Sequence, residues 1–174
     1  MRYITFLFLI SAIFCSFTFN KNKGEKENDV TASPAMEWNV TLQDTGGNTV
    51  SLSDFHGKFI VVDLWASWCK PCLYEVDYTK ELQASFTGND KIVWVFISFD
   101  NSEIAWKQAV RKNKVPGIHL WGTPQKEEIK KAMNVRGIPR YIWIDAQGNI
   151  LLKEAPRPSD KGVKRQLQYY VNKL

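Results

Sequence analysis

Cysteine is scarce in this 174-residue chain: Cys15, Cys69 and Cys72 are the whole supply, and histidine is scarcer still, at His56 and His119. So few sulfurs exclude a fold stapled by several disulfides. Zinc-finger chemistry is excluded too, since only the two histidines could join a cysteine pair and neither has finger-like spacing from it. Runs of one charge are also missing. The formal net charge is +5, yet Lys and Arg are interspersed with Glu and Asp, with no block of five or more like charges. A basic arm for nucleic acid is therefore not expected; the excess is a solvated basic surface. Internal repeats and a second core are absent as well, which leaves one domain for a chain of this length.

Hydrophobic residues make up 44% of the chain, with seven Trp and ten Phe, which suits an aromatic-rich sheet protein. Residues 3–19 are almost wholly apolar, with Arg2 ahead of them. At about 17 residues the run stands at the short limit for crossing a bilayer. A secretory signal, a retained membrane anchor and a lipid-modified Cys15 are all compatible with it. Against cleavage, Ser16, Phe17 and Thr18 make a poor processing site; against lipidation, Phe14 is bulky just before Cys15. All three readings put the rest of the chain outside the cytoplasmic membrane. Residues 20–35 are polar and mixed in charge, as in a flexible tether, so the expected division is export segment 1–19, linker 20–35 and folded domain 36–174.

With Cys15 in the export segment, the domain keeps only Cys69 and Cys72. They sit in the run Trp68, Cys69, Lys70, Pro71, Cys72, just after the apolar residues 59–65. One turn of helix at this spacing brings both sulfurs within bonding distance. A disulfide stabilises mainly by closing a long loop, and closing a two-residue gap removes little entropy. Reactivity explains the pair better than stabilisation does. A Cys-x-x-Cys near a strand-helix pattern reads as a thioredoxin-like redox motif.

Around this motif the chain alternates strands and helices. Residues 37–42 alternate apolar and polar, Gly46 and Gly47 mark a turn, and residues 49–52 return as a strand. Residues 59–64 are nearly all apolar, as in a central strand covered on both faces. A helix is predicted from the cysteine motif to Ser85, with Pro71 tolerated in its first turn. Residues 92–98 form a second buried strand, and Ser102 caps a helix to about Lys112. Residues 115–121 are extended, and 125–133 a short helix. Strands at 141–145 and 150–153 flank a tight turn. Residues 159–174 close as an amphipathic helix, with Val163, Leu167, Tyr170, Val171 and Leu174 near one stripe.

Four segments carry a resemblance: residues 52–58 (LSDFHGK), residues 62–72 (VDLWASWCKPC), residues 137–139 (GIP) and residues 144–150 (IDAQGNI). In this order and spacing the chain resembles the thioredoxin superfamily, specifically its membrane-tethered TlpA/ResA-like thiol-disulfide oxidoreductases, from about Trp38 to Leu174. The resemblance implies an α/β thioredoxin-like fold, a central mixed β-sheet flanked by helices, with an added N-terminal β-hairpin. It also implies an extracytoplasmic, periplasmic enzyme of the cell envelope. The expected partners are cysteine-containing exported proteins, apocytochrome c among them, and a membrane thiol electron donor. No cofactor is implied beyond a redox-active Cys69–Cys72 disulfide, and a monomer is expected. Two positions depart from the pattern: Asp77 stands where proline is frequent, and Arg140 where threonine is common. Both alter the partner surface more than the chemistry.

Roles follow residue by residue. Cys69, at the helix start, is the expected attacking thiolate, its pKa lowered from the ordinary value. Cys72, one turn inward and expected to be more buried, resolves the mixed disulfide. Asp63 interrupts an apolar strand; burial there is costly and should raise its pKa. The resemblance makes it a proton carrier to or from Cys72 through a water; the alternative is a satisfied polar group at a strand end. Glu75 matches a glutamate near the thiols of related proteins, though it equally suits a carboxylate serving only the helix dipole. Pro139 matches a cis-proline facing the cysteines, leaving the Ile138 backbone free to pair with an incoming peptide. Trp68 and Pro71 belong to the substrate rim. His56 and His119 read as ordinary turn and surface residues. Two other functions fit the residues less well. A peroxiredoxin-like peroxidase needs a Thr three residues before its cysteine, and neither Cys69 nor Cys72 has one. A copper-chaperone module of the same fold spaces its cysteines three apart rather than two.

Overall fold

The computed structural model describes residues 37–174. The expected export segment, the tether and Cys15 lie outside the described residues. Among the described residues no helix is long and apolar enough to cross a membrane.

The first described elements are a hairpin, β1 (Thr41–Asp44) and β2 (Thr49–Ser51). The Asp44 carboxylate accepts from the Gly46 and Asn48 amides and so shapes its turn. Then come β3 (Phe59–Trp65), α1 (Lys70–Tyr74), α2 (Val76–Ala84), β4 (Ile92–Ser98), α3 (Glu103–Asn113) and β5 (Ile118–Trp121). The chain finishes with α4 (Lys126–Ala132), β6 (Arg140–Ile144), β7 (Ile150–Ala155) and α5 (Val163–Val171). The seven strands among the described residues form one sheet in the order β2-β1-β5-β4-β3-β6-β7. The centre is parallel, β3 with β4 and β4 with β5; the other pairings are antiparallel. This is the mixed sheet of the thioredoxin-like fold with its added hairpin. The hairpin extends the main sheet, because β1 pairs with β5.

β3 organises the interior. Ile60, Val62 and Leu64 face one core with Ile97, Leu120, Ile142 and, from α4, Ile129. Phe59 and Val61 face the other side, among Leu82 of α2 and Val163, Leu167 and Val171 of α5. Each such aliphatic side chain, once fully buried, contributes about 1.5–3 kcal/mol. Asp63 is the one polar residue in this strand, and its place in the alternation turns it toward the face where α1 carries the cysteines.

Three elements differ from the sequence reading. The first strand begins at Thr41, since the Glu37 backbone N–H donates to Gly148 and its carboxylate accepts from the Ile150 amide. Those bonds tie the segment ahead of β1 to the β6–β7 turn. The predicted single helix is two, divided at Glu75, whose backbone N–H closes the first turn on the Cys72 carbonyl. The last helix begins at Val163 rather than Ser159. Pro156 and Pro158 precede it, the Arg157 amide donates to Asp160, and Gly162 enters the helix at φ +89°.

Candidate active site

The cysteines occupy the junction between β3 and α1. Cys69 is the N-cap of α1, and its sulfur accepts the Cys72 backbone N–H at 3.2 Å. A sulfur there satisfies a helix-terminal donor that otherwise has no partner in the helix. Cys69 and Cys72 are joined by a disulfide. Both are buried, Cys69 at 4% exposure and Cys72 at 6%, so the expected contrast between an open first thiol and a deeper second one is not found. Both belong to one buried cluster with Trp65, Ala66, Phe96 and Trp106.

The strap ahead of Cys69 is fixed by Asp100. Its carboxylate accepts from the Ser67 amide, the Ser67 hydroxyl and the Ser98 hydroxyl. Its carbonyl accepts from the Trp121 indole at 2.9 Å and the Thr123 hydroxyl at 2.6 Å. Asp100 is 1% exposed, so these bonds keep a buried carboxylate satisfied. No sequence motif marks this residue.

Ile138 packs against the cluster that holds both cysteines, and the Ile138–Pro139 peptide is cis, as the resemblance implied. Trp68 stands on the rim at 60% exposure, with Pro71 exposed beside it. Tyr74 and Tyr78 continue this aromatic surface along α1 and α2, their rings 5.4 Å apart. Nothing in the sequence pattern marks them as exposed.

Beneath the redox pair lies a row of side chains. Register places Tyr141 of β6, Asp63 of β3, Phe96 of β4 and His119 of β5 side by side on one face of the sheet. Burial, followed by the nearby Glu75 carboxylate, pushes the Asp63 carboxyl up to about 8, against the opposing influence of the Tyr141 hydroxyl. That hydroxyl faces Asp63 without a hydrogen bond of ordinary geometry. Burial, then Asp63 and Glu75, holds the Tyr141 phenol above its ordinary range. Asp63 and Cys72 line the same small cavity, so the expected proximity of the two is present.

Glu75 sits within the fold at 1% exposure. Its carboxylate accepts from the Ser159 amide at 3.0 Å and the Ser159 hydroxyl at 2.8 Å, across 84 residues of sequence. It is thus a buried, paired group beside Asp63 rather than a surface carboxylate at a helix end. His119 also departs from expectation: it stacks on Phe96 at 4.8 Å and lies largely within the fold, and burial lowers its pKa. Replacing Ser159 with alanine would leave one Glu75 oxygen buried without a donor. We expect Ser159→Ala to cost about 2 kcal/mol of stability, read as a lower urea midpoint at unchanged slope.

A cysteine pair closed into a small ring at a strand-to-helix junction, in a mixed sheet of this order, defines a thiol-disulfide oxidoreductase of thioredoxin-like fold. Comparison with known proteins agrees. The Redoxin family model matches residues 22–167. The thiol-disulfide oxidoreductase ResA of Bacillus thuringiensis subsp. konkukian (strain 97-27) is 28% identical over 176 residues, covering 99% of this chain and 94% of its own. The thioredoxin-like protein YneN of Bacillus subtilis (strain 168) is 29% identical over 110 residues, 63% of this chain and 64% of its own. Among solved structures, a candidate thiol-disulfide oxidoreductase from Bacteroides vulgatus superimposes with a TM-score of 0.70 at 32% identity, covering 83% of this chain and 93% of that one. The thioredoxin domain of a thiol-disulfide oxidoreductase from the same organism gives 0.70 at 25% identity, with coverage of 81% and 99%. The chain belongs to the Redoxin family, as a TlpA/ResA-like member of the thioredoxin superfamily.

Proposed function

We propose that this enzyme reduces disulfides in exported proteins outside the cytoplasmic membrane, with Cys69 as nucleophile and Cys72 as resolving thiol. The observation that carries this reading is the Cys72 N–H directed at the Cys69 sulfur. In the reduced protein the same donor stabilises a thiolate on Cys69. That thiolate attacks one sulfur of a substrate disulfide, and the other substrate sulfur leaves as a thiolate and takes a proton. Cys72 then loses its proton and attacks Cys69, closing the ring and releasing the second substrate thiol. Two electrons pass to the substrate, and a membrane thiol donor restores the dithiol. Asp63, which holds its proton at neutral pH, returns a proton to Cys72 through a water when the dithiol is restored.

Charge supports the reducing direction. The buried Glu75 and Asp100 carboxylates lie within the fold near the redox pair, whereas Lys70, the cation of the motif, is exposed. Negative charge disfavours thiolates and so favours the disulfide form of the enzyme, which makes its dithiol a better reductant. The apolar residues 3–19 support an extracytoplasmic site of action. Exported apoproteins such as apocytochrome c fit as substrates because their paired cysteines oxidise there.

The exposed indole of Trp68 and the Ile138–Pro139 segment supply a surface for the polypeptide around the target disulfide. We expect Trp68→Ala to raise KM for a protein disulfide roughly 10-fold, the scale expected when an aromatic side chain is truncated at a binding surface. Its rate with a small aromatic disulfide and its thermal stability should stay near wild type. The reading itself is tested by insulin reduction driven by dithiothreitol. The protein should accelerate it and Cys69→Ala should not; equal rates with and without Cys69 would overturn the assignment.

A further inference from the structure

A cavity of ≈ 20 Å³ lies beside Cys72, and three of the residues lining it, Asp63, Trp65 and His119, each carry a buried polar atom with no protein partner. The atoms are Asp63 Oδ1, Trp65 Nε1 and His119 Nδ1. Orphaned buried polar atoms are uncommon, and three around one cavity point to a shared partner. The space is sufficient for one water, and three polar neighbours are the usual number for a buried one.

The hydrogen-bond roles of these atoms are complementary. An indole nitrogen only donates. His119 Nε2 lies 2.8 Å from the Val115 carbonyl, which only accepts, so Nε2 carries the ring proton and Nδ1 presents a lone pair. Stacking on Phe96 fixes the plane of the imidazole. A water held by the Trp65 N–H therefore has His119 Nδ1 to donate to, with Asp63 and Cys72 on the remaining walls.

We propose that Asp63, Trp65 and His119 hold one buried water under Cys72, and that His119 Nδ1 takes the Cys72 proton through it when the mixed disulfide is resolved. The inference rests on the reductase reading above and adds the proton acceptor to it. In the resolving step the Cys69–substrate S–S bond breaks and the Cys69–Cys72 bond forms. The Cys72 proton passes through the water to Nδ1, and the substrate sulfur leaves as a thiolate that is protonated by solvent. Asp63, held up to about 8 by its surroundings, is mostly protonated at neutral pH and so serves as a donor rather than an acceptor. His119, lowered by burial, is neutral there and free to accept. The ionisable groups around the cavity are Cys72 from α1 and Asp63 from β3, with Glu75 and Tyr141 acting on Asp63; α3 contributes uncharged Val110 and Asn113.

Two measurements test this. In the ¹⁵N-histidine-labelled full chain, His119 should show the Nε2–H tautomer and titrate differently in the disulfide and dithiol forms, with His56 as internal reference. Identical His119 titration in the two forms, or an Nδ1–H tautomer, would overturn it. His119→Phe, which retains the ring on Phe96, should slow single-turnover release of substrate about 10- to 100-fold at pH 7, at the lower end of general-base effects. The deficit should vanish as pH rises through the Cys72 thiol pKa. A pH-independent loss, or none, contradicts the assignment. Insulin reduction by the wild type stands apart: its failure would remove the reductase reading, whereas its persistence with an unresponsive His119 would remove only the relay.

Discussion

Cys72→Ser will hold its substrate covalently on Cys69 and lose nearly all of its turnover, because a mixed disulfide without a resolving thiol waits for an external one. Cys69 remains at the N-cap of α1 with its Cys72-position N–H donor intact, since that donor is backbone. The first attack is therefore preserved while the second is abolished. Non-reducing gels of cells expressing the variant should show adducts that dithiothreitol releases. Haem-attachment proteins among the trapped species would support cytochrome maturation; a broad set of exported proteins would indicate general repair. The absence of any reducible adduct from Cys72→Ser, with Cys69 shown to be reactive, would contradict the assignment of the two sulfurs.

Asp63→Asn should produce the second large effect, and in opposite directions on stability and activity. The Asp63 carboxyl is raised from 3.8 to about 8 in the folded protein. Across that window the native state keeps a proton that the unfolded chain releases, so stability falls as pH rises, by up to about 1.4 kcal/mol per pH unit. The stabilising contribution of the protonated group is complete below the unfolded value and is lost as pH climbs through the folded one. Asparagine has no such proton to hold. After an allowance of about 1–3 kcal/mol for an amide with incomplete hydrogen bonding, the variant should be more stable than wild type by roughly 2 kcal/mol at pH 7. Below about pH 4 the advantage should disappear, because both states of the wild type are then protonated. Turnover should fall about 10- to 100-fold at neutral pH with loss of the group that returns a proton to Cys72. Urea melts at pH 4 and pH 7 check the first statement; a variant no more stable at pH 7 than wild type would show that Asp63 ionises normally.

Much of this site is legible in the residues themselves. The apolar run of β3 interrupted only by Asp63, the cysteine pair after it and the Ile138–Pro139 step each declare their place through local chemistry. The sheet centre is legible for the same reason, since β3 and β4 are apolar on both faces and suit only a covered strand. What stays hidden depends on contacts between distant segments. Ser159 reads as the start of a helix, and only the folded chain brings it to Glu75. His119 lies in a short strand whose phase is set by pairing with β4, so its turn toward Cys72 follows from register and not from its neighbours in sequence. Trp65 and Asp63, two apart on one strand, share a face by alternation, yet their common cavity needs α1 and α3 above them. Trp106, which shares a buried cluster with Cys69 and Cys72, likewise comes to the site from α3, a distant segment of the chain.

The most direct measurement is an equilibrium redox titration of Cys69 and Cys72. The protein is equilibrated across glutathione buffers of graded ratio, with dithiothreitol as the reducing limit, and free thiols are counted by alkylation and mass spectrometry. A single reversible two-electron transition between closed and open forms is expected, with a potential nearer the roughly −270 mV of thioredoxin than the roughly −120 mV of a strong oxidant. A pair that stays closed, or stays open, throughout would contradict the assignment of this site as a working dithiol-disulfide centre.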